Sequence, residues 1–137
     1  MGMLAGMEVE IFCLCESAPV NPLNQPSLIN IFDVKVAIKE PILIDSFLVV
    51  SSIRIFRRDE GQHAFSIICK DPHGKVLIGP KEIVSFSELT RDSTTYFYVM
   101  TMPQTQVSIG VYEFSMEIDG AQRATTVLHI EKGKNLI

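Results

Sequence analysis

Residues 112–120 read YEFSMEIDG, and this stretch decides the fold class. Its apolar side chains alternate with polar ones, as in a strand that buries one face: Tyr112, Phe114, Met116 and Ile118. The pair Asp119-Gly120 tolerates the positive φ angles of a tight turn, and a second alternating run follows over residues 124–130. The stretch therefore predicts a terminal β-hairpin.

The same two-residue period recurs along the chain, in short runs separated by Pro, Gly, Asn and Asp. A second turn is predicted at residues 71–74 (DPHG), between the runs 63–70 and 75–78. Less sharply bounded strands are expected in five further runs: 8–16, 28–38, 47–57, 82–86 and 95–102. The segment 19–26 holds three prolines and predicts an ordered crossing loop, because proline lacks the amide donor that a sheet requires.

About eight short strands with no helical stripe between them predict an all-β fold. Two antiparallel sheets packed face to face, as in an immunoglobulin-like β-sandwich, fit this pattern, and a small closed β-barrel is the alternative. The chain has 137 residues, of which 47% are hydrophobic, so we expect a single domain over residues 1–137. Residues 1–6 are predicted to form a flexible N-terminus.

Charge and cysteine content narrow the function classes. The chain has 12 basic and 16 acidic residues and a net charge of -4, which disfavours a nucleic-acid surface. No basic region precedes an apolar core near the N-terminus, and no apolar run reaches the roughly 20 residues that cross a bilayer, so neither export nor a membrane span is expected. Three cysteines cannot all pair internally, which favours a reducing, cytoplasmic location.

Three stretches resemble a known type of protein. They are residues 27–33 (SLINIFD), residues 61–63 (GQH) with 70–74 (KDPHG), and residues 110–114 (GVYEF) with 118–120 (IDG). Together they resemble a family of small uncharacterised bacterial β-sandwich proteins with an immunoglobulin-like fold, over most of the chain from Met7 onward. The resemblance implies an architecture and no reaction, because the shared motifs are turns and core positions.

Both faces of the run 95–102 carry apolar side chains, which is unusual for a strand on the outer surface of a sheet. One face holds Tyr and Met, which are enriched where proteins meet partners. We therefore expect a protein interface on that face: Tyr96, Tyr98, Met100 and Met102. A mean hydropathy of +0.25, high for a soluble chain of this size, indicates either a strongly two-layered core or a surface patch that a partner covers.

Other side chains are weaker candidates for a site. His63 starts a strand beside apolar neighbours, where a structural hydrogen bond is favoured over catalysis. Arg57 and Arg58 precede two acidic residues and are interpreted as contacts for an anionic ligand or, more simply, as partners of those acids. Cys13, Cys15 and Cys69 fall on apolar strand faces and could meet in the core, but their spacing does not predict a metal site.

These observations favour a non-enzymatic protein-interaction or structural module that acts as a homo-oligomer or as a subunit of an assembly. The alternative is a β-sandwich that binds a small ligand or a carbohydrate, with Tyr96, Tyr98 and His63 as the first contacts. No catalytic residue, cofactor or metal is predicted, because the sequence contains no nucleophile elbow, phosphate-binding loop or paired metal-ligand motif.

Overall fold

The computed structural model describes residues 6–23, 25–79 and 81–134. Twelve strands lie in this part of the chain: β1 (Glu8–Ser17), β2 (Ile29–Phe32), β3 (Val34–Ala37), β4 (Leu43–Ile44), β5 (Phe47–Phe56), β6 (Gly61–Lys70), β7 (Val76–Ile78), β8 (Glu82–Phe86), β9 (Ser93–Met102), β10 (Thr105–Gln106), β11 (Gly110–Ile118) and β12 (Ala121–Lys132). A single 3₁₀ turn at Arg57–Asp59 is the one helical element in these ranges. None of the described helical structure is long and apolar enough to cross a membrane.

The strands form two large sheets and one small one. The four-stranded sheet has the order β2-β1-β5-β9, and all of its pairs are antiparallel. The six-stranded sheet has the order β3-β12-β11-β6-β7, with β8 also paired to β6. Its strands are antiparallel except for the parallel pair of β3 with β12. The short strands β4 and β10 pair with each other. The predicted all-β class is therefore confirmed.

Side chains from both large sheets meet in one core. Phe47 of β5 packs edge-on against Phe114 of β11, with ring centres 6.2 Å apart. Phe65 of β6 stacks on Tyr98 of β9 at 5.5 Å. Fully burying an aromatic or aliphatic side chain of this size contributes about 1.5–3 kcal/mol, so these contacts hold the two sheets together.

The predicted terminal hairpin is confirmed. Strands β11 and β12 pair antiparallel on either side of Asp119 and Gly120, which both have positive φ angles of 53° and 81°. The predicted turn at residues 71–74 is also confirmed: the amide of Gly74 donates to the carbonyl of Asp71 at 3.0 Å. The side chain of Asp71 accepts hydrogen bonds from the amides of His73 and Lys75, which fixes the turn locally.

The predicted count of about eight strands was too low, and the run expected to form one strand over residues 28–38 is two strands. The chain bends at Asp33, so that β2 stays in the four-stranded sheet while β3 crosses to the six-stranded one. The carbonyl of Asp33 accepts a hydrogen bond of 2.7 Å from the amide of His129, which attaches the bend to β12. Strands β4 and β10, each of two residues, were not predicted.

The proline-containing segment forms an ordered loop, as predicted, but it is not a crossing loop, because it joins β1 to β2, which pair antiparallel in the same sheet. The amide of Ser27 donates to the carbonyl of Pro19 at 2.9 Å, and the side-chain oxygen of Asn21 accepts from the amides of Leu23 and Gln25. These bonds close the segment on itself. The predicted flexible N-terminus lies outside the described residues, apart from Gly6.

Candidate functional site

The two faces of β9 differ from the prediction. Tyr96, Tyr98, Met100 and Met102, which were predicted to form an interface, point into the core, and Tyr98 is only 5% exposed. The prediction therefore named the wrong face of the strand. The exposed side chains of β9 include Phe97 and Val99, at 37% and 44% exposure.

Phe97 and Val99 belong to a larger apolar surface, the face of the four-stranded sheet that points away from the core, called here the outer face. Strand register places Val99 beside Val50, and Val50 beside Cys13. Five large apolar side chains on the outer face are exposed: Ile11, Ile29, Ile31, Phe97 and Val99. Sequence reasoning missed the contribution of β1 and β2, although the alternating isoleucines of residues 29–31 carried a signal for it.

The proline-containing loop flanks the outer face and shapes it. A groove of about 350 Å³ runs between this loop and β9, lined by apolar residues that include Val20, Pro26 and Phe97. Val20 itself is exposed. Because the loop is fixed by its own hydrogen bonds, the groove is a preformed apolar surface.

Charged groups lie at one end of the outer face. Arg54 of β5 forms an ion pair with Glu10 at 3.1 Å and donates to the hydroxyl of Ser93 at 3.0 Å. Residues 93–102 of β9 include no Asp, Glu, Lys or Arg. The exposed apolar part of β9 therefore carries no charge that would repel an apolar partner.

The three cysteines do not meet. Cys13 and Cys15 lie on the outer-face side of β1, whereas Cys69 belongs to the core between the sheets. All three are free thiols. Burial, with a smaller contribution from the charge of Asp71, raises the pKa of the Cys69 thiol to about 11. Within the described residues, no group of three or more His, Cys, Asp or Glu side chains is placed to hold a metal ion.

His63 bridges two turns. Its Nδ1 lies 2.7 Å from a carboxylate oxygen of Asp119, and its Nε2 lies 2.5 Å from the carbonyl oxygen of Asp59. Burial alone would lower the pKa of His63, but the hydrogen bonds and charges of Asp119 and Asp59 outweigh it and raise the pKa. Both ring nitrogens are therefore engaged within the fold, so the predicted ligand contact at His63 has no free nitrogen to offer.

Arg57 and Arg58, the other predicted ligand contacts, follow β5. Arg57 donates to the carbonyls of Arg91 and Thr90, at 3.2 and 3.3 Å, and so anchors the loop before β9. The guanidinium of Arg58 lies over the ring of Phe56, 4.5 Å from its centre. Arg57 therefore serves the fold directly, and the structure does not bring these arginines and His63 into one pocket.

A cleft of about 400 Å³ opens at another place, beside β3 and the segment before β5. Its apolar lining includes Phe32, Phe47 and Ile130, and Lys35 and Asp45 also line it. The Lys35 ammonium lies 4.2 Å from the centre of the Phe32 ring and 3.6 Å from a carboxylate oxygen of Glu16. No residue of this cleft was a candidate from the sequence.

Comparisons with known proteins indicate the fold and the family. The structure is similar to an alkylpurine DNA glycosylase from Pseudomonas fluorescens bound to DNA with an abasic site analog, with a TM-score of 0.53 and 6% identity over 93% of this chain and 31% of that one. It is also similar to a β-glucosidase from Listeria innocua in complex with isofagomine, with a TM-score of 0.51 and 10% identity over 90% of this chain and 16% of that one.

The chain thus spans about a third and a sixth of the length of these two proteins, and at such identities the likeness shows the fold alone. A comparison with curated protein sequences finds no match. The expected membership of an uncharacterised family is confirmed by a family model that matches residues 10–131, and the chain belongs to this family of unknown function (DUF6941).

Proposed function

We propose that this protein is a non-enzymatic structural module that acts as a subunit of a homo-oligomer and assembles through its outer face. The observation that supports the proposal is the set of five large apolar side chains that β1, β2 and β9 expose on that face. Exposed apolar patches of this kind, next to polar groups, are typical of surfaces that another protein covers.

The apolar character of the outer face supports the proposal. An antiparallel sheet with one solvated face usually carries polar residues on that face. The six-stranded sheet carries such polar residues where Glu113 of β11 stands opposite Lys70 of β6, although it also exposes apolar residues, among them Ile83 and Val111. On the outer face of the four-stranded sheet, the corresponding central positions are Cys13, Val50 and Val99.

Burial of the outer face against a second subunit would contribute favourably to the free energy of association. A fully buried Val, Ile or Phe side chain contributes about 1.5–3 kcal/mol, and each exposed residue of the outer face already hides about half of its surface. Covering one of them therefore contributes on the order of 1 kcal/mol. Five such residues on each subunit supply enough to offset part of the entropy lost on association.

The architecture that we propose for the subunit is an immunoglobulin-like β-sandwich. The support for this architecture is that side chains from the two large sheets share one core. We also propose a cytoplasmic location, which the three free thiols support because a reducing compartment keeps cysteines unpaired.

Light scattering on two variants tests the outer face. Ile11→Lys places a charge on the outer face, and Val111→Lys places the same charge on the six-stranded sheet, at residues that are 43% and 45% exposed. We expect a wild-type mass above the 15.3 kDa of one chain, a lower mass for Ile11→Lys and no change for Val111→Lys. An Ile11→Lys variant with the wild-type mass would refute assembly through the outer face.

A second candidate function is the binding of a small ligand, which the cleft beside β3 favours. Its volume of about 400 Å³ falls in the range of small-molecule sites, and it combines an apolar lining with charged groups. A thermal-shift screen with sugars, nucleotides and small carboxylates checks it, because a ligand that binds only the native state raises the melting temperature. Val36→Trp, a substitution in the cleft lining, should abolish any shift that arises there.

A further inference from the structure

Strand β9 has a long free edge. Strand β9 ends the four-stranded sheet and pairs with β5 along its whole length, from Ser93 opposite Phe56 to Met102 opposite Phe47. In the part of the chain that the structure describes, no strand pairs with its other side. Alternate residues of β9 therefore direct their backbone N–H and C=O groups to solvent.

The other terminal strands of the two large sheets are shorter than β9. Native proteins keep edge strands short or place charges and prolines on them, so that they do not pair with other chains. Strands β2 and β3 have four residues each, β7 has three and β8 has five. Strand β9 has ten residues, and none of them is charged or proline.

We propose that the free edge of β9 pairs antiparallel with β9 of a second copy of this chain, which joins two four-stranded sheets into one sheet of eight strands. The inference rests on the proposed function, since it names one contact of the proposed oligomer. It adds to the outer-face contact and does not replace it. The partner is a second copy because antiparallel pairing of a strand with itself satisfies the donors and acceptors of both edges around a two-fold axis.

The side chains of β9 fit this symmetry. A two-fold axis perpendicular to the sheet keeps Phe97 and Val99 of both copies on the same outer face, where apolar residues from adjacent strands pack as cross-strand pairs. Each chain carries a net charge of -4, but uncharged residues from each copy form the contact, so no like charges stand opposite each other along it. A two-fold axis through one residue pairs at most nine of the ten residues of β9, which forms about nine backbone hydrogen bonds, a number typical of a specific protein interface.

The test separates the edge contact from the outer-face contact. It uses the full chain with Ile11→Lys, which weakens the outer face on the interior strand β1 and leaves the β9 edge unchanged. We expect this variant to remain a dimer at the protein concentrations used for NMR. Hydrogen exchange of alternate amides within residues 93–102 should then slow at least about tenfold between the lowest and the highest concentration.

A second substitution removes the edge contact. Adding Val99→Lys brings two ammonium groups together near the two-fold axis, so we expect a monomer without the concentration-dependent protection. Phe97→Lys, at another exposed residue of the same face of β9, serves the same purpose and makes the result independent of the packing of Val99. Circular dichroism checks that each variant keeps its β structure.

The outcomes distinguish the two proposals. A strictly monomeric Ile11→Lys variant, derived from an oligomeric wild type, would overturn the edge pairing and support the outer face. A dimer that shows no alternate protection in β9 would also overturn it. An Ile11→Lys variant with the wild-type mass and protected β9 amides would support the edge and refute the outer face, and a monomeric wild type would refute both.

Discussion

The bridge between His63 and Asp119 predicts a stability that depends on pH. His63 joins the start of β6 to the β11–β12 turn, and its side chain is only 19% exposed. Both of its ring nitrogens face oxygen acceptors, a carboxylate and a carbonyl, so only the doubly protonated imidazolium can donate to both. A neutral imidazole leaves one nitrogen lone pair facing an oxygen, which weakens the bridge.

The directions of the two pKa shifts define the pH range. The pKa of His63 is raised in the folded protein, so its contribution is complete below the unfolded value of about 6.5 and is lost as the pH rises through the folded value. Burial would raise the pKa of Asp119, but the hydrogen bonds from His63 and Ala64 lower it. The contribution of Asp119 is complete above about pH 4 and is lost as the pH falls further.

The size of the effect follows from the geometry. A hydrogen bond to a charged group contributes about 1.5–3 kcal/mol when it is shielded from water. The Asp119 side chain is 53% exposed, so solvent screening reduces the coupling between the two side chains to about 1 kcal/mol. We expect this coupling at about pH 5.5, and a smaller one at about pH 8.5.

A double-mutant cycle measures this coupling. His63→Gln keeps a hydrogen-bonding group without the charge, and Asp119→Asn keeps a residue type that tolerates the positive φ angle of the turn. Urea unfolding followed by circular dichroism gives the free energy of unfolding of the wild type, both single variants and the double variant at the two pH values. A coupling free energy that is equal at both, or close to zero at the lower one, would refute the reasoning.

Two further predictions concern packing and reactivity. Gly110→Ala should lower the free energy of unfolding by about 1–3 kcal/mol more than Gly120→Ala does, in the same urea assay. A Cβ at Gly110 would lie 2.6 Å from the Cβ of Pro72, whereas a Cβ at Gly120 meets nothing within 4 Å. Equal losses of stability would contradict the close contact. In the native protein at about pH 8, a thiol reagent should modify Cys69 at least tenfold more slowly than Cys13. Cys69 is buried in the core, and its pKa is raised to about 11. Comparable rates for the two cysteines would contradict the burial of Cys69.

The sequence predicted those features of the fold that neighbouring residues determine. Two turns, one at Asp119-Gly120 and one after β6, contain residue types that favour the backbone angles of turns. The structure has both turns. The division of residues 28–38 into two strands could not be predicted in this way. It depends on the pairing of β3 with β12, a long-range contact that leaves no local pattern.

The candidate site could be predicted only in part. Apolar residues occupy both faces of β9. The alternation of residue types therefore indicated a strand with two apolar faces, without showing which face lies against the core. The register with β5 decides this, because Val99 lies beside Val50 on the outer face. In β1 an irregularity between Val9 and Ile11 shifts the alternation, so that Val9 packs against the core while Ile11 is exposed. A strict two-residue period would place both residues on one face.

The crossing of the chain at Asp33 has a consequence for the rate of folding. Strand β3 leaves its sequence neighbours and pairs with β12, where Val34 meets His129 and Ala37 meets Lys132. A contact between residues so distant in sequence carries a large loop-closure cost, and such contacts slow the folding of β proteins. We expect β3 to be among the last strands to dock. Its exposed side chains, Val34 and Val36, would then remain open to other unfolded chains, so that the yield of refolding falls as the protein concentration rises.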